Sequence, residues 1–305
     1  ECEIPEYSKA NLDIYREAMM DAVAETSEEF MERYFAGDEF SVGEIRAAMK
    51  TNVNDGSIIP VSMGSSTELR NIHNLLNDIV ELLPSPDKVS CAGINMKTNE
   101  IFEGDYNFAT SKSAYVFKTI ADPFIGKYSL IKVCSGVIKS DDTLYNATTE
   151  TEEKISKLYV MRANKPEEVS ELHAGDIGAI GKAGCKTGDT LSTKAVPVVY
   201  GKTEISKPYT YMAYKAKNKG DEDKISQALA KIMDEDLTVK SVNDSENRQT
   251  LLYGMGDQHL AVIVSMLAEK YKVDVELTKP KVAFRETLRK KSDVEYKYKK
   301  QSGGH

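Results

Sequence analysis

The stretch Leu251-Leu252-Tyr253-Gly254-Met255-Gly256-Asp257-Gln258-His259-Leu260-Ala261-Val262-Ile263-Val264 decides how the C-terminal third of this chain folds. Gln249–Tyr253 reads as a strand, and Gly254-Met255-Gly256 turns it at once into a helix. Leu260, Ile263, Val264, Leu267 and Tyr271 recur at helical spacing and form its buried face. A strand that becomes a helix this abruptly needs positive φ or close backbone approach, which is the reason read for Gly254 and Gly256. Working backward, Leu237–Val242 reads as the partner strand. Before it, Asp221-Glu222-Asp223 opens a helix where negative charge offsets the N-terminal dipole. Its apolar face is Ile225, Ala228, Leu229, Ile232 and Met233. Tyr209–Lys215 reads as a first strand, and Val273–Leu277 with Val282–Leu288 closes the set. The order is β-α-β-β-α-β over 208–288.

Upstream the texture differs. Segments rich in Val, Ile, Tyr and Thr run over 114–121, 127–134, 142–148, 153–161 and 176–182. Turn signals separate them: Asp122-Pro123, Ser135-Gly136, Lys139-Ser140-Asp141-Asp142 and Ala174-Gly175-Asp176. Short strands with regular turns predict a small β-barrel over 113–200. Around Ser129, Ile131 and Val133 one face is partly apolar, while Tyr128 and Leu130 lie on the other, as in a strand covered on both sides.

The N-terminal 86 residues read as part of an α/β layer. Residues 9–52 are helical in pattern, with Ala18, Met19, Ala22 and Val23 in a stripe continued by Phe30, Met31 and Tyr34. Gly37 stops that run, and Ser41 with Glu44 predicts a capping box. Ser57–Val61 reads as a short buried strand. Gly64-Ser65-Ser66 follows, then a helix through Ile72, Leu75, Leu76, Ile79, Val80 and Leu83, a unit whose loop commonly holds ligands. Pro84-Ser85-Pro86 ends it, and 87–112 reads as a connector.

Bulk properties exclude several classes. The 305 residues carry a net charge of −8, all of it in residues 1–50, where thirteen acidic residues face five basic ones. The rest is balanced, so nucleic-acid contact would rest on local patches. One is Arg289, Lys290, Lys291, Lys297, Lys299 and Lys300. No apolar run approaches the roughly 20 residues that span a bilayer. Cys2, Cys91, Cys134 and Cys185 lie outside metal-ligand spacing of one another and read as free thiols of a reducing compartment. His73, His173, His259 and His305 are equally scattered, and no metal site is expected. There is no Gly-rich phosphate loop with its Lys, and no catalytic residue is assigned. Glu1 is not an initiator Met, and numbering is expected to start inside a longer chain.

In order along the chain, the motifs resemble those of elongation factor G, a family of translational GTPases. Tyr15-Arg16-Glu17 through Glu32-Arg33-Tyr34 is similar to the last helices of its GTPase domain, and Ile59-Pro60-Val61 with Gly64-Ser65 to its final guanine-contacting loop. Asp122-Pro123-Phe124-Ile125-Gly126-Lys127, Arg162-Ala163-Asn164 and Thr187-Gly188-Asp189-Thr190-Leu191 resemble its second domain. Glu235-Asp236, Gly254-Met255-Gly256, His259-Leu260 and Arg285-Glu286-Thr287 resemble its third. Gln301-Ser302-Gly303-Gly304 resembles the start of its fourth, placed at 289–305. The implied fold is the tail of a P-loop GTPase α/β domain, a translation-factor β-barrel and a ferredoxin-like plait.

The resemblance also implies a function. The parent would be a cytoplasmic, ribosome-associated GTP hydrolase of protein biosynthesis that uses GTP and Mg²⁺. The phosphate loop, switch regions and Mg-binding residues would lie before Glu1, so this portion is expected to hold no cofactor and to be inactive and monomeric. Gly64, Ser65 and Ser66 would be a remnant guanine loop. Lys118, Lys127, Lys132 and Arg162 would face small-subunit rRNA, and the plait would sit near a ribosomal protein. Gly254, Gly256 and His259 would face another domain. Asp257-Gln258 after Gly-Met-Gly, Leu237 where Pro is usual, and His305 where Arg is common point to a paralogue of the family. Its role could lie in translocation, recycling or protection of the ribosome. A ribosome- or RNA-binding module without nucleotide dependence is the competing reading.

Overall fold

The computed structural model describes residues 4–122, 126–163 and 165–297. Cys2, Pro123-Phe124-Ile125, Asn164, Lys299, Lys300 and the Gln301–His305 motif lie outside these.

Four helices come first: α1 (Glu6–Ala24), α2 (Glu28–Ala36), α3 (Val42–Asp55) and α4 (Ile72–Leu82). Local chemistry sets their ends. Gly37 adopts the left-handed conformation that terminates α2. The Ser41 side chain accepts the Glu44 amide while the Glu44 carboxylate accepts the Ser41 amide, completing the capping box at α3. Glu44 also pairs with Arg33 at 2.7 Å. These bonds hold its carboxyl at about 2, the Arg33 contribution being the largest. The strand expected at Ser57–Val61 is absent. Ile58 donates to the Asn52 carbonyl at 3.0 Å and Ser57 to Asp55, so this backbone finishes the end of α3. Ile59 and Val61 are left about four-fifths exposed, at 79% and 82%. A strand needs a ladder partner, and none lies alongside among the described residues.

A β-rich body follows. Its strands are β1 (Cys91–Asn95), β2 (Ile101–Gly104), β3 (Ser113–Asp122), β4 (Gly126–Ser135), β5 (Val137–Lys139), β6 (Thr143–Asn146) and β7 (Thr151–Lys154). They continue as β8 (Leu158–Arg162), β9 (Lys165–Val169), β10 (Glu171–His173), β11 (Ile177–Gly181), β12 (Thr190–Ser192) and β13 (Val198–Tyr200). Eight form one antiparallel sheet in the order β7-β6-β12-β3-β4-β11-β8-β9, and β5 pairs with β10. Backbone bonds from the turn after β5 reach Ile155, beyond β7, and Ser170, beyond β9. The β5–β10 ribbon therefore bridges the two sheet edges, and the sheet wraps one core that includes Val116, Ile131, Ile138, Leu144, Leu158, Leu172, Ile180 and Leu191. Strand β4 is covered on both faces, as its sequence indicated. Ile131 and Val133 point into that core, while Tyr128 and Leu130 pack outside with Tyr159 and Ala179.

Three sequence readings need correction here. The segment 153–161 is two strands, because Ile155 turns into the core and the chain crosses from one sheet edge to the other. Residues 87–112 contain strands, since β1 pairs with both β2 and β13. Strand β9, Lys165-Pro166-Glu167-Glu168-Val169, escaped notice because it is an exposed edge strand, where proline and charge are tolerated.

The last layer contains β14 (Thr210–Ala216), α5 (Glu222–Glu235), β15 (Lys240–Asp244), β16 (Gln249–Gly254), α6 (Asp257–Tyr271) and β17 (Val275–Thr278). The sheet order is β15-β16-β14-β17, all antiparallel. Both helices cover one face, with Leu229, Ile232, Leu252, Leu260, Ile263 and Leu267 at the centre. Two strand readings shift. Residues 236–238 form a turn in which Thr238 donates to the Asp236 carboxylate at 2.9 Å, so β15 starts at Lys240 rather than Leu237. No strand forms at 282–288. Pro280 lacks an amide for the ladder, and Phe284 and Leu288 are exposed. The Gln249 side chain instead clips this segment, accepting the Lys281 amide at 2.7 Å and donating to its carbonyl at 2.9 Å.

No helix among the described residues is long and apolar enough to cross a membrane. Gly104 is the tightest junction between β2 and the barrel. A Cβ there would lie 2.3 Å from the Cys134 carbonyl oxygen and 3.2 Å from that of Cys91, both backbone atoms that cannot retreat. Gly104→Ala is expected to destabilise the chain by about 1–3 kcal/mol in urea melts, the usual scale of overpacking.

Candidate functional site

The residues singled out in the sequence fall into three places. At the Gly64-Ser65-Ser66 loop, Gly64 must stay glycine because a Cβ would meet the Arg70 carbonyl oxygen at 2.6 Å. The Ser65 amide donates to that same carbonyl at 3.1 Å, and the Arg70 amide returns the bond to Ser65 at 3.0 Å. The Ser65 hydroxyl accepts the Glu68 amide at 3.2 Å. The loop is closed on itself, and the Ser65 amide is already engaged.

The four basic residues do not form one patch. Lys127 is half-buried and donates to the Cys185 carbonyl at 2.8 Å, a structural role. Lys132 acts on the Cys91–Cys134 pair. A hydrogen bond from the Cys134 thiol, aided by the Lys132 charge, holds the Cys91 thiol below its ordinary value against the opposing effect of burial. Cys91, Cys134 and Cys185 are all free thiols. Arg162 pairs with Glu167 at 3.1 Å on the barrel surface. Lys118 alone reaches a groove, of about 660 Å³, at the seam between barrel and plait.

That seam gathers the chemistry. Phe117, Lys118 and Ile120 of β3 face Glu235, Asp236 and Thr238 from the end of α5 and the turn beyond it. Glu235 accepts the Ala121 amide at 2.6 Å and an ion pair from Lys270 at 3.1 Å, joining barrel, α5 and α6. Next to it His259, in the first turn of α6, accepts the Met255 amide on Nδ1 at 3.0 Å. Nε2 therefore carries the proton of the neutral ring and donates to Asp236 at 3.1 Å. Burial works against the Asp236 charge, but its bonds to Thr238 and to His259 outweigh it and lower the carboxyl below its usual range. The arrangement locks the Gly-Met-Gly turn to the end of α5 and contains no nucleophile–base pair. Among the described residues no cluster of three or more His, Cys, Asp or Glu could hold a metal.

The two glycines differ. Gly254 has a packing reason, since a Cβ would lie 2.9 Å from Leu260 and 3.3 Å from His259. Gly256 has neither reason offered for it: its φ of −178° is extended and a Cβ would meet open space. Sequence reasoning missed the role of Glu235. The signal was an acidic pair ending an amphipathic helix, where a carboxylate is disfavoured by the dipole unless it has a partner.

Comparison with known proteins bears directly on this seam. Residues 111–194 match the family described as Elongation factor G domain 2, and residues 205–279 match Elongation Factor G, domain III. The two matches meet at the groove, and together they span just over half of the chain.

The chain belongs to the elongation factor G family.

A crystal structure of a protein from Thermus thermophilus is similar over 92% of this chain, with a TM-score of 0.71 and 28% sequence identity. The chain spans 40% of that protein's length. In the present chain the β-rich body contains the domain 2 match and the αβ layer the domain III match, so the Glu235 clasp is a contact between those two domains.

Two outcomes follow from this geometry. Gly254→Ala is expected to cost about 1–3 kcal/mol in chemical denaturation and Gly256→Ala less than about 0.5 kcal/mol. The folded pKa of Asp236 lies below the unfolded value of about 3.9. Its contribution is therefore complete above that value and disappears as pH falls through the lower folded one. Asp236→Asn should melt earlier than the parent chain at pH 7, with the difference shrinking below about pH 4.

Proposed function

We propose that this chain is the central part of a ribosome-associated translational GTPase, one whose nucleotide cycle drives translocation during protein synthesis in the cytoplasm. The observation that carries the reading is the order of parts: two elongation factor G domains follow one another in a chain matching 40% of a longer relative. In this reading residues 1–86 end the GTPase domain, 87–112 connect it to the barrel at 113–200, a ferredoxin-like plait occupies 208–288, and 289–305 begins a fourth domain. The β15-β16-β14-β17 order with both helices on one face supports the plait assignment.

The uncovered apolar surface of the N-terminal helices supports the GTPase assignment. Leu75, Leu76, Ile79 and Val80 of α4 are each 41% exposed or more, and Ile59 and Val61 are more exposed still. A stripe of this kind is buried when a helix packs on a sheet. GTP and Mg²⁺ would be held by parts of the longer protein carrying a phosphate loop. Here only the loop at Gly64-Ser65-Ser66 corresponds to a nucleotide contact, and one hydrogen bond worth about 0.5–1.5 kcal/mol does not retain a ligand. Ribosome contact would read phosphate charge and shape, through Lys118 and the Arg162 surface rather than through Lys127 and Lys132.

Calorimetry with GTP is expected to give no binding heat, and phosphate release is expected to match a blank. Micromolar affinity would overturn the assignment of the nucleotide site to other segments. Co-sedimentation with ribosomes should be weak and fall as salt rises. Salt-independent binding would point to an apolar protein contact instead.

A further inference from the structure

The two helices cover one face of the plait sheet; on the other Gln249 holds the Lys281 backbone and Ala213 and Leu251 are buried, while Tyr211 stays 43% exposed. Met212, Tyr214 and Leu252 point toward the helices. Alternation along the strands therefore sends Tyr211 and Ala213 of β14, Leu251 and Tyr253 of β16, and Lys240 and Val242 of β15 to the opposite face. On this face Tyr211 and Tyr253 stand directly opposite each other on the two central strands. Their rings are stacked, with centroids 5.0 Å apart and planes 28° from parallel. Lys240 is the register partner of Tyr253 on its other side. One row across the sheet thus reads Lys240, Tyr253, Tyr211.

We propose that this row is a stacking platform for an unpaired oligonucleotide strand, with the tyrosine rings taking bases and Lys240 a backbone phosphate. The face lies wholly within the residues that match domain III, away from the barrel lysines, and the proposal stands apart from the nucleotide cycle described above. Three features favour such a strand. Two aromatic rings on the central strands of a four-stranded βαββαβ sheet are what base-stacking sheets present. Tyr211 is 43% exposed and Tyr209, at the entry to β14, is 78% exposed, so ring surface faces solvent instead of filling a core. Charge is also matched at one end of the face. The tyrosine row carries a cation and no acid, whereas two rows away Lys215 faces Glu276 and Asp244 faces Gln249. A strand crossing the face would place its phosphates at the Lys240 end. Duplex bases are stacked on one another and cannot reach the rings, which restricts the ligand to unpaired segments.

The test uses the full 305-residue chain and a fluorescein-labelled oligouridylate of about 12 nucleotides, within the site sizes of single-strand binders, read by anisotropy at low salt, with a duplex RNA of equal length as comparison. Tyr211→Leu and Tyr253→Leu keep apolar cover on the sheet and remove the ring. Each is expected to weaken single-strand binding by about 5- to 150-fold. Tyr211→Phe and Tyr253→Phe should bind within about twofold of the parent, and Lys240→Ala should flatten the salt dependence. Thermal melts of each variant establish that it is folded. The proposal is overturned if the strand fails to bind at millimolar protein. It is equally overturned if folded Leu variants bind like the parent, or if the duplex binds as tightly with the same tyrosine dependence.

Discussion

Glu235 holds the two matched domains in one arrangement. Its carboxylate accepts an amide from the barrel strand β3 and a charge from Lys270 on α6, while its own helix packs against β3. A carboxylate at a helix C-terminus opposes the dipole, and the two partners offset that repulsion. The neighbouring Asp236–His259–Met255 chain of hydrogen bonds fixes the start of α6 against the same turn. The seam is thus built from charge and backbone groups, with an open groove beside it. That is the composition expected of an interface between units that each have their own core.

Those separate cores are built differently. The plait core is made of aliphatic side chains from two amphipathic helices and one sheet face. The barrel core is also aliphatic, but it is ringed by buried polar groups that find partners. Asn146 donates to Asp189 at 2.9 Å, Asp189 also accepts the Lys186 amide at 2.8 Å, and Ser113 bonds the Tyr200 hydroxyl at 2.7 Å. The Thr190 and Ser192 hydroxyls accept the amides of Tyr200 and Val198. Such bonds fix which strands lie beside β12 and β13, because a slipped register would leave buried polar groups without partners.

What the sequence revealed follows from how local each signal is. The Ser41–Glu44 box, the Gly37 stop and the faces of α5 and α6 depend on residues within one or two turns, and all were legible. Strand β9 was not, because Lys165-Pro166-Glu167-Glu168 carries no apolar alternation; its partner β8 determines it. Ile58-Ile59-Pro60-Val61 misled for the opposite reason: its apolar, β-prone residues have no neighbouring strand to pair with among the described residues. The site was less legible than the fold. Lys127 and Lys132 looked like surface charge but serve a carbonyl and a thiol pair inside the barrel wall. Glu235 looked like a helix end yet joins two domains. Contacts between distant segments set these roles, and no periodicity reports them.

The position of β12 constrains how the barrel assembles. This strand lies between β6 and β3 in space but follows both by more than forty residues. Until Thr190–Ser192 is available, the β6–β7 hairpin and the β3–β4 pair are separate fragments with unsatisfied edges. Every closure across that gap joins residues far apart in sequence and loses loop entropy before any contact forms. The plait has distant closures of its own, since β14 pairs with β16 and with β17. During synthesis the barrel would therefore condense late and all at once, when its keystone strand emerges.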